Sequence, residues 1–144
     1  TNDIGSSNDF LLKLISGSMP ACPKIHMGYI DVRDVAKAHI FSMTEEKTNG
    51  ERIIVSENEM FFAEVGKTLN EAGFKKSPTK EMPNFLVKIM SLFVGELKTL
   101  LSALNRKGDI DKTKAKSFFN WDYISTEQSV TETARQLQDM GLTK

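Results

Sequence analysis

The sequence predicts an α/β fold, mostly helical, with two or three short strands. The first ground is the run Gly28-Tyr29-Ile30-Asp31-Val32-Arg33-Asp34-Val35-Ala36-Lys37-Ala38-His39, a short strand over 27–30 that turns straight into a capped helix. The second is Arg52-Ile53-Ile54-Val55, short, β-branched and not alternating, as in a strand covered on both faces of a parallel sheet. The third is the pairing of Ser56 with Glu59 and of Ser125 with Gln128, each spaced as a capping box at a helix start. Strand, capped helix, strand, capped helix is an α/β rhythm, but strands so few need further strands to pair with.

The first predicted helix spans 6–16, where Phe10, Leu11, Leu14 and Ile15 recur at helical spacing and Gly17 is a natural stop. Pro20 and Pro23 make 17–26 a loop. After the strand at 27–30, Asp31 is the expected N-cap and Asp34 a second carboxylate favoured by the positive helix end. Val32, Val35, Ala36, His39, Ile40 and Met43 fall on one face, which predicts that this face is buried and that His39 is a structural histidine. The strand at 52–55 leads to a helix carrying Met60, Phe61, Val65, Leu69 and Ala72, ended by Gly73. Residues 74–82 read as a loop or a short edge strand. Pro83 opens an apolar stretch to Leu104 that Gly95 breaks into two helices. Asn105-Arg106-Lys107-Gly108 is a turn, Asp111 caps a short helix to Phe118, and Ser125 starts a last helix ended by Gly141.

Composition narrows the function. The chain has 144 residues, enough for one domain with a real core. Lys+Arg and Asp+Glu are both 19, so no bulk electrostatic attraction to nucleic acid is expected. The apolar stretch at 85–104 holds Lys88, Glu96 and Lys98, unlike a membrane span. A single cysteine, Cys22, excludes an internal disulfide and fits a reducing, cytoplasmic setting. The start, Thr1-Asn2-Asp3, has neither a secretory pattern nor a methionine and reads as a cut end.

Chemistry-bearing patterns are few. The nine glycines nowhere form a G-x-x-G-x-x-G or G-x-G-x-x-G phosphate loop. Neither tyrosine has a lysine four residues on: Tyr29 is followed by Arg33 and Tyr123 by Glu127. No catalytic residue is assigned. His26 and His39 have no third ligand at metal spacing, so no metal is expected. Cys22, beside Pro23, has no nearby base to activate it. Asp31 and Asp34 read as caps rather than an acid/base pair. Tyr29 serves equally well as a substrate contact or a packing residue. Phe118, Phe119 and Trp121 read as a core cluster. The lysines at 75, 76, 80 and 88 read as a solvated face, with a nearby phosphate-bearing cofactor tail as the sharper alternative.

Several landmarks in order resemble the second half of extended short-chain dehydrogenases/reductases of the NAD-dependent epimerase/dehydratase superfamily. The run from Tyr29 to His39 is similar to their D-V-x-D-V-A-x-A-H junction. Asn49-Gly50-Glu51-Arg52-Ile53-Ile54-Val55-Ser56 resembles N-G-x-R, a strand and a serine. Phe62 and Glu64 stand where an F-x-E helix begins. Asp111, Lys114, Ala115 and Trp121 follow D-x-x-K-A-x-x-x-L-G-W, with Phe119-Asn120 in place of Leu-Gly. Ser125, Gln128, Ser129 and Val130 resemble the closing helix. The nearest branch is the dihydroflavonol 4-reductase-like one, similar also to cinnamoyl-CoA and aldehyde reductases.

The resemblance implies that residues 1–144 are a single C-terminal substrate-binding domain or fragment of a Rossmann-type NAD(P)-binding reductase. The N-terminal dinucleotide-binding half, with the phosphate loop and the Tyr-x-x-x-Lys pair, would be absent and the fragment inactive. The implied cofactor is NADP(H), held mainly by that half, with Ser6 and Ser7 near its edge. The implied substrate is a small aldehyde or ketone, with Met27, Gly28 and Tyr29 lining the mouth and 82–104 forming a variable cover. The choice of NAD over NADP would be set in the absent half. A homodimer is one expectation, driven by the exposed edge around Val55. Two other readings stay open: a non-catalytic interaction module keeping only this subdomain, and part of a sugar-nucleotide epimerase or dehydratase.

Overall fold

The computed structural model describes residues 4–93 and 95–143; Thr1, Asn2, Asp3, Val94 and Lys144 lie outside the described residues. Helix α1 (Ser6–Ser16) ends on Gly17 in the left-handed region, φ 80°, as its apolar spacing and glycine stop predict. Strand β1 (Cys22–Pro23) and strand β2 (His26–Tyr29) follow, then α2 (Val32–Thr44). Strand β3 (Asn58–Phe61) runs directly into α3 (Phe62–Glu71). After β4 (Glu81–Met82) come the short helices α4 (Asn84–Met90) and α5 (Gly95–Leu100), then α6 (Thr113–Phe118) and α7 (Thr126–Asp139). The fold is α/β and mostly helical. Its strands form two small sheets: β1 beside β4, parallel, and β2 beside β3, antiparallel.

The main core lies where α1, α3 and α7 pack together. Leu11, Leu14 and Ile15 meet Phe62, Val65 and Leu69, and Val130, Ala134 and Leu137 close the far side. The Phe10 and Phe62 rings sit 4.3 Å apart in a tilted pair. Cys22 and Ile25 thread β1 through this core, which buries the thiol and pushes its pKa up to about 11. At Gly66 the backbone carbonyl of Pro78 occupies the space a Cβ would need, so α3 tolerates no side chain there. A second cluster joins Ala38, Ala115 and Phe119 to Phe41, Ile53, Val55, Phe118 and Trp121, the aromatic core the sequence indicates.

Three expectations are corrected. Residues 52–55 form no strand: Ile53 and Val55 pack on the second cluster, and no strand is paired to them among the described residues. The helix predicted from Ser56 begins later. Asn58–Phe61 is a strand paired to β2, and α3 is capped from within by Glu64, whose carboxylate accepts the Phe61 N–H at 2.6 Å. Cross-strand pairing with β2 outweighs the local Ser56–Glu59 signal, and Glu59 is drawn instead to Lys112. The predicted inner face of α2 also points outward: Val32 is 77% exposed, Ile40 65% and Met43 85%. His39 is exposed, its Nδ1 2.8 Å from the Val35 carbonyl oxygen. The inner face is instead Asp34, Ala38 and Phe41, fixed by a hydrogen bond to the chain before α7 and by the aromatic cluster.

Candidate functional site

The residues singled out as substrate contacts lie on the β2–β3 ribbon. Its register sets His26 opposite Phe61, Met27 opposite Met60, Gly28 opposite Glu59 and Tyr29 opposite Asn58. Met27 and Gly28 are exposed; Tyr29 is half-buried against the main core. A Cβ at Gly28 would collide with Ile110 and with the Ser56 hydroxyl, so glycine is what lets the 110 segment close over the ribbon. The Tyr29 hydroxyl is buried with no hydrogen-bond partner among the described residues, and burial, with Cys22 and Glu64 nearby, raises its pKa. Of the two roles open to Tyr29, packing is visible, and its partnerless hydroxyl is a buried donor left over.

An open cleft beside the ribbon is lined by His26, Asn58, Glu59, Phe61, Glu64 and Lys107. Its polar groups are held from several directions. Glu59 accepts Lys112 Nζ at 3.2 Å and the Ile110 N–H at 3.3 Å, and the Lys112 contact is the main cause of its lowered pKa. Glu64 is committed to the Phe61 N–H. The His26 ring packs edge-on to Phe61, centroids 4.7 Å apart. Both carboxylates therefore shape the cleft, and His26 and Lys107 are its basic groups. Sequence reasoning placed Glu59 at a helix start and missed the cleft; Asn58-Glu59-Met60-Phe61 does not alternate, so no local pattern marks it as a strand.

The ribbon leads into a charge network that locks α2 to α7. Asp31 caps α2 by accepting the Arg33 N–H at 2.8 Å, as expected, and also grips the Arg33 guanidinium through Nε and Nη2 at 2.8 and 2.9 Å. Arg33 Nη2 reaches on to Glu132 at 2.8 Å. The Arg33 hydrogen bonds hold the Asp31 carboxyl well below the usual carboxylate range. Arg33, four residues after Tyr29, is thereby committed to structure. Asp34 is buried and accepts the Ile124 N–H at 2.7 Å, so it anchors the chain before α7 rather than capping its own helix. Glu57 does the same at the start of α7, accepting Thr126 N–H at 2.9 Å and its hydroxyl at 2.6 Å.

Ser6 and Ser7 stand exposed on the first turn of α1. Residues 82–104 divide. Val87 is buried, and Leu100, Ala103 and Leu104 pack on the main core, while Phe85, Ile89, Leu92 and Phe93 face outward. Among the described residues no three His, Cys, Asp or Glu side chains gather to hold a metal, and no helix is long and apolar enough to cross a membrane.

This arrangement has counterparts of known activity. The chain is 30% identical over 115 residues, 80% of its length, to the NADPH-dependent methylglyoxal reductase of Saccharomyces cerevisiae. Over 136 residues, 94% of its length, it is 29% identical to an uncharacterised oxidoreductase of Schizosaccharomyces pombe. Its relatives are oxidoreductases. The solved yeast methylglyoxal/isovaleraldehyde reductase, complexed with NADPH, superposes on 94% of this chain with a TM-score of 0.69 and 26% identity. The structure of Gre2 from Candida albicans shares the fold, with a TM-score of 0.70 over 98% of the chain at 22% identity. The chain spans only about a third of the relatives, 30% and 35% of the two sequences and 37% of the yeast structure. No protein-family model matches it.

Proposed function

We propose that this chain is the substrate-binding part of an NADP(H)-dependent reductase that converts a small aldehyde or ketone to an alcohol. The observation that carries this is the yeast reductase–NADPH complex, whose fold follows 94% of this chain while the chain covers 37% of it. In this reading the remaining length of such a protein supplies the nucleotide site, the proton donor and the hydride. This chain supplies the β2–β3 ribbon as one wall of the substrate mouth. Met27 and Gly28 reach solvent there, Tyr29 sets the ribbon's depth, and the exposed residues of α4 cover the opening. Ser6 and Ser7 would border the cofactor. Residues 1–144 act as one domain, inactive alone, in a cytoplasmic enzyme working without metal, nucleic acid or membrane. The dihydroflavonol-like branch is the finer assignment, carried by the ordered sequence landmarks.

Thermal denaturation of the native gene product with ligands tests the reading. NADPH together with a small carbonyl analogue should raise the melting temperature as ligand rises above its dissociation constant. A shift with a UDP-sugar and none with the carbonyl analogue would move the assignment to an epimerase or dehydratase.

A further inference from the structure

The cleft beside the β2–β3 ribbon has unspent hydrogen-bonding capacity, and nearly all of it is of one kind. Paired residues on an antiparallel ribbon share a face. Met60 and Tyr29 turn toward the main core, so His26 with Phe61 and Gly28 with Glu59 make the outer face, which is the cleft wall. The cleft has a volume of about 270 Å³, just below the range of drug-sized pockets, which limits it to a small molecule. Its acceptors are almost all in use. Glu59 takes Lys112 Nζ on one oxygen and the Ile110 N–H on the other. One oxygen of Glu64 is held by the Phe61 N–H. The Asn58 side-chain oxygen accepts the Glu59 N–H at 2.8 Å. Its donors are free. The Asn58 amide keeps its NH2 group. Neither the His26 ring nitrogens nor the Lys107 ammonium makes a hydrogen bond or an ion pair among the described residues. The charges lean the same way: Lys112 neutralises Glu59, and Glu64 lies in the first turn of α3, where the positive helix end offsets it. Lys107 is left as the uncompensated charge of the cleft.

We infer that this cleft receives a carboxylate of the substrate, so that the substrate class is the small oxo acids: aldehydes or ketones that carry a carboxylate besides the carbonyl to be reduced. This rests on the reductase reading and deepens it. An ionised carboxylate accepts hydrogen bonds and donates none, which matches a site whose free groups are donors. Lys107 reaches it from the chain after α5, His26 and the Asn58 amide reach it from the ribbon, and the Phe61 ring packs on the carbon chain. The bond to Lys107 is charge-assisted and therefore the strongest of the set. A neutral carbonyl compound offers no such partner. The carboxylate is a handle and is unchanged by the reaction. Gly28 lies on the same face of the ribbon as His26 and Phe61, so the handle site is continuous with the mouth where Gly28 reaches solvent.

Kinetics and calorimetry on the native gene product test this. 4-Oxobutanoate and its methyl ester present the same carbonyl and differ in the charge. With NADPH, kcat/KM should favour the acid by about tenfold or more, the worth of one charge-assisted hydrogen bond. Lys107→Met should bring that ratio close to one, chiefly by raising KM for the acid, and Lys107→Arg should restore most of it. Lys80→Met, at an exposed lysine outside the cleft, should leave the ratio as it is. Lys107 is itself exposed, so its variants should melt with the parent. Titration of 4-hydroxybutanoate, the reduced product, in the presence of NADPH should give a heat of binding that 1-butanol lacks and Lys107→Met abolishes. Equal kcat/KM for acid and ester, a ratio that survives Lys107→Met, or no heat from 4-hydroxybutanoate would each overturn the proposal. Inorganic phosphate displacing 4-hydroxybutanoate at equal concentration would make the cleft a general anion site and overturn the oxo-acid assignment. Binding of 4-hydroxybutanoate with no reduction of any carbonyl compound would defeat the reductase reading and leave the cleft a carboxylate site.

Discussion

At the scale of single residues, the molecule depends on a few carboxylates that tie one segment to another. Asp34 is the clearest case, buried, accepting the Ile124 N–H on one oxygen and Lys37 Nζ on the other. Asp34→Ala should lower stability by about 1–3 kcal/mol in urea unfolding, because the Ile124 N–H is left buried without an acceptor. Asp31 gives a pH signature. Its carboxyl titrates lower when folded than when unfolded, chiefly through the Arg33 hydrogen bonds. The folded state therefore binds the proton less well. The stabilisation is complete above the unfolded value of about 4 and is lost as pH falls below it. The urea midpoint should drop between about pH 5 and pH 2, and Asp31→Asn should flatten that acid limb while lowering the plateau. Gly28→Val should cost about 1–3 kcal/mol by forcing Ile110 and Ser56 off the ribbon, read as a lowered melting temperature. The Asp31 cap was legible because capping chemistry is local. The role of Asp34 was not, because its partner lies 90 positions away.

At the scale of elements, legibility followed how local each determinant is. Helix α1 was readable to its ends because its apolar spacing and the Gly17 stop sit inside one short window. The same holds for α7, where the Ser125 hydroxyl accepts the Gln128 N–H at 3.2 Å and Gly141 follows with φ 71°. Strand β3 was hidden, since Ser56 and Glu59 spell a helix start, and only pairing with β2, about thirty residues earlier, overrides it. The orientation of α2 was misread for a different reason: a helix with apolar residues on two sides gives no single face to assign. The ribbon and its Gly28 were visible as a candidate site, whereas the cleft was not, because it joins 26, 58–64 and 107 through tertiary contact. Helix α4 and the turn that follows it offer a test of facing. Val87→Ala should cost about 2 kcal/mol from lost burial and a residual cavity. Leu92→Lys should change stability by less than about 0.5 kcal/mol. Equal effects would mean the cover is turned the other way.

At the scale of the molecule, the three-helix core and the α2–α7 charge network make a body that holds the ribbon firmly. That body leaves Val32, Ile40 and Met43 exposed along α2, and its relatives are about three times as long. These facts agree with a substrate-side piece that needs a nucleotide-binding partner to act. The decisive measurement is NADPH consumption with methylglyoxal, run side by side on the native gene product and on the 144-residue chain. The account predicts turnover by the native product and none by the chain. Turnover by the chain alone, or a native product of 16.1 kDa that binds no NADPH, would contradict it.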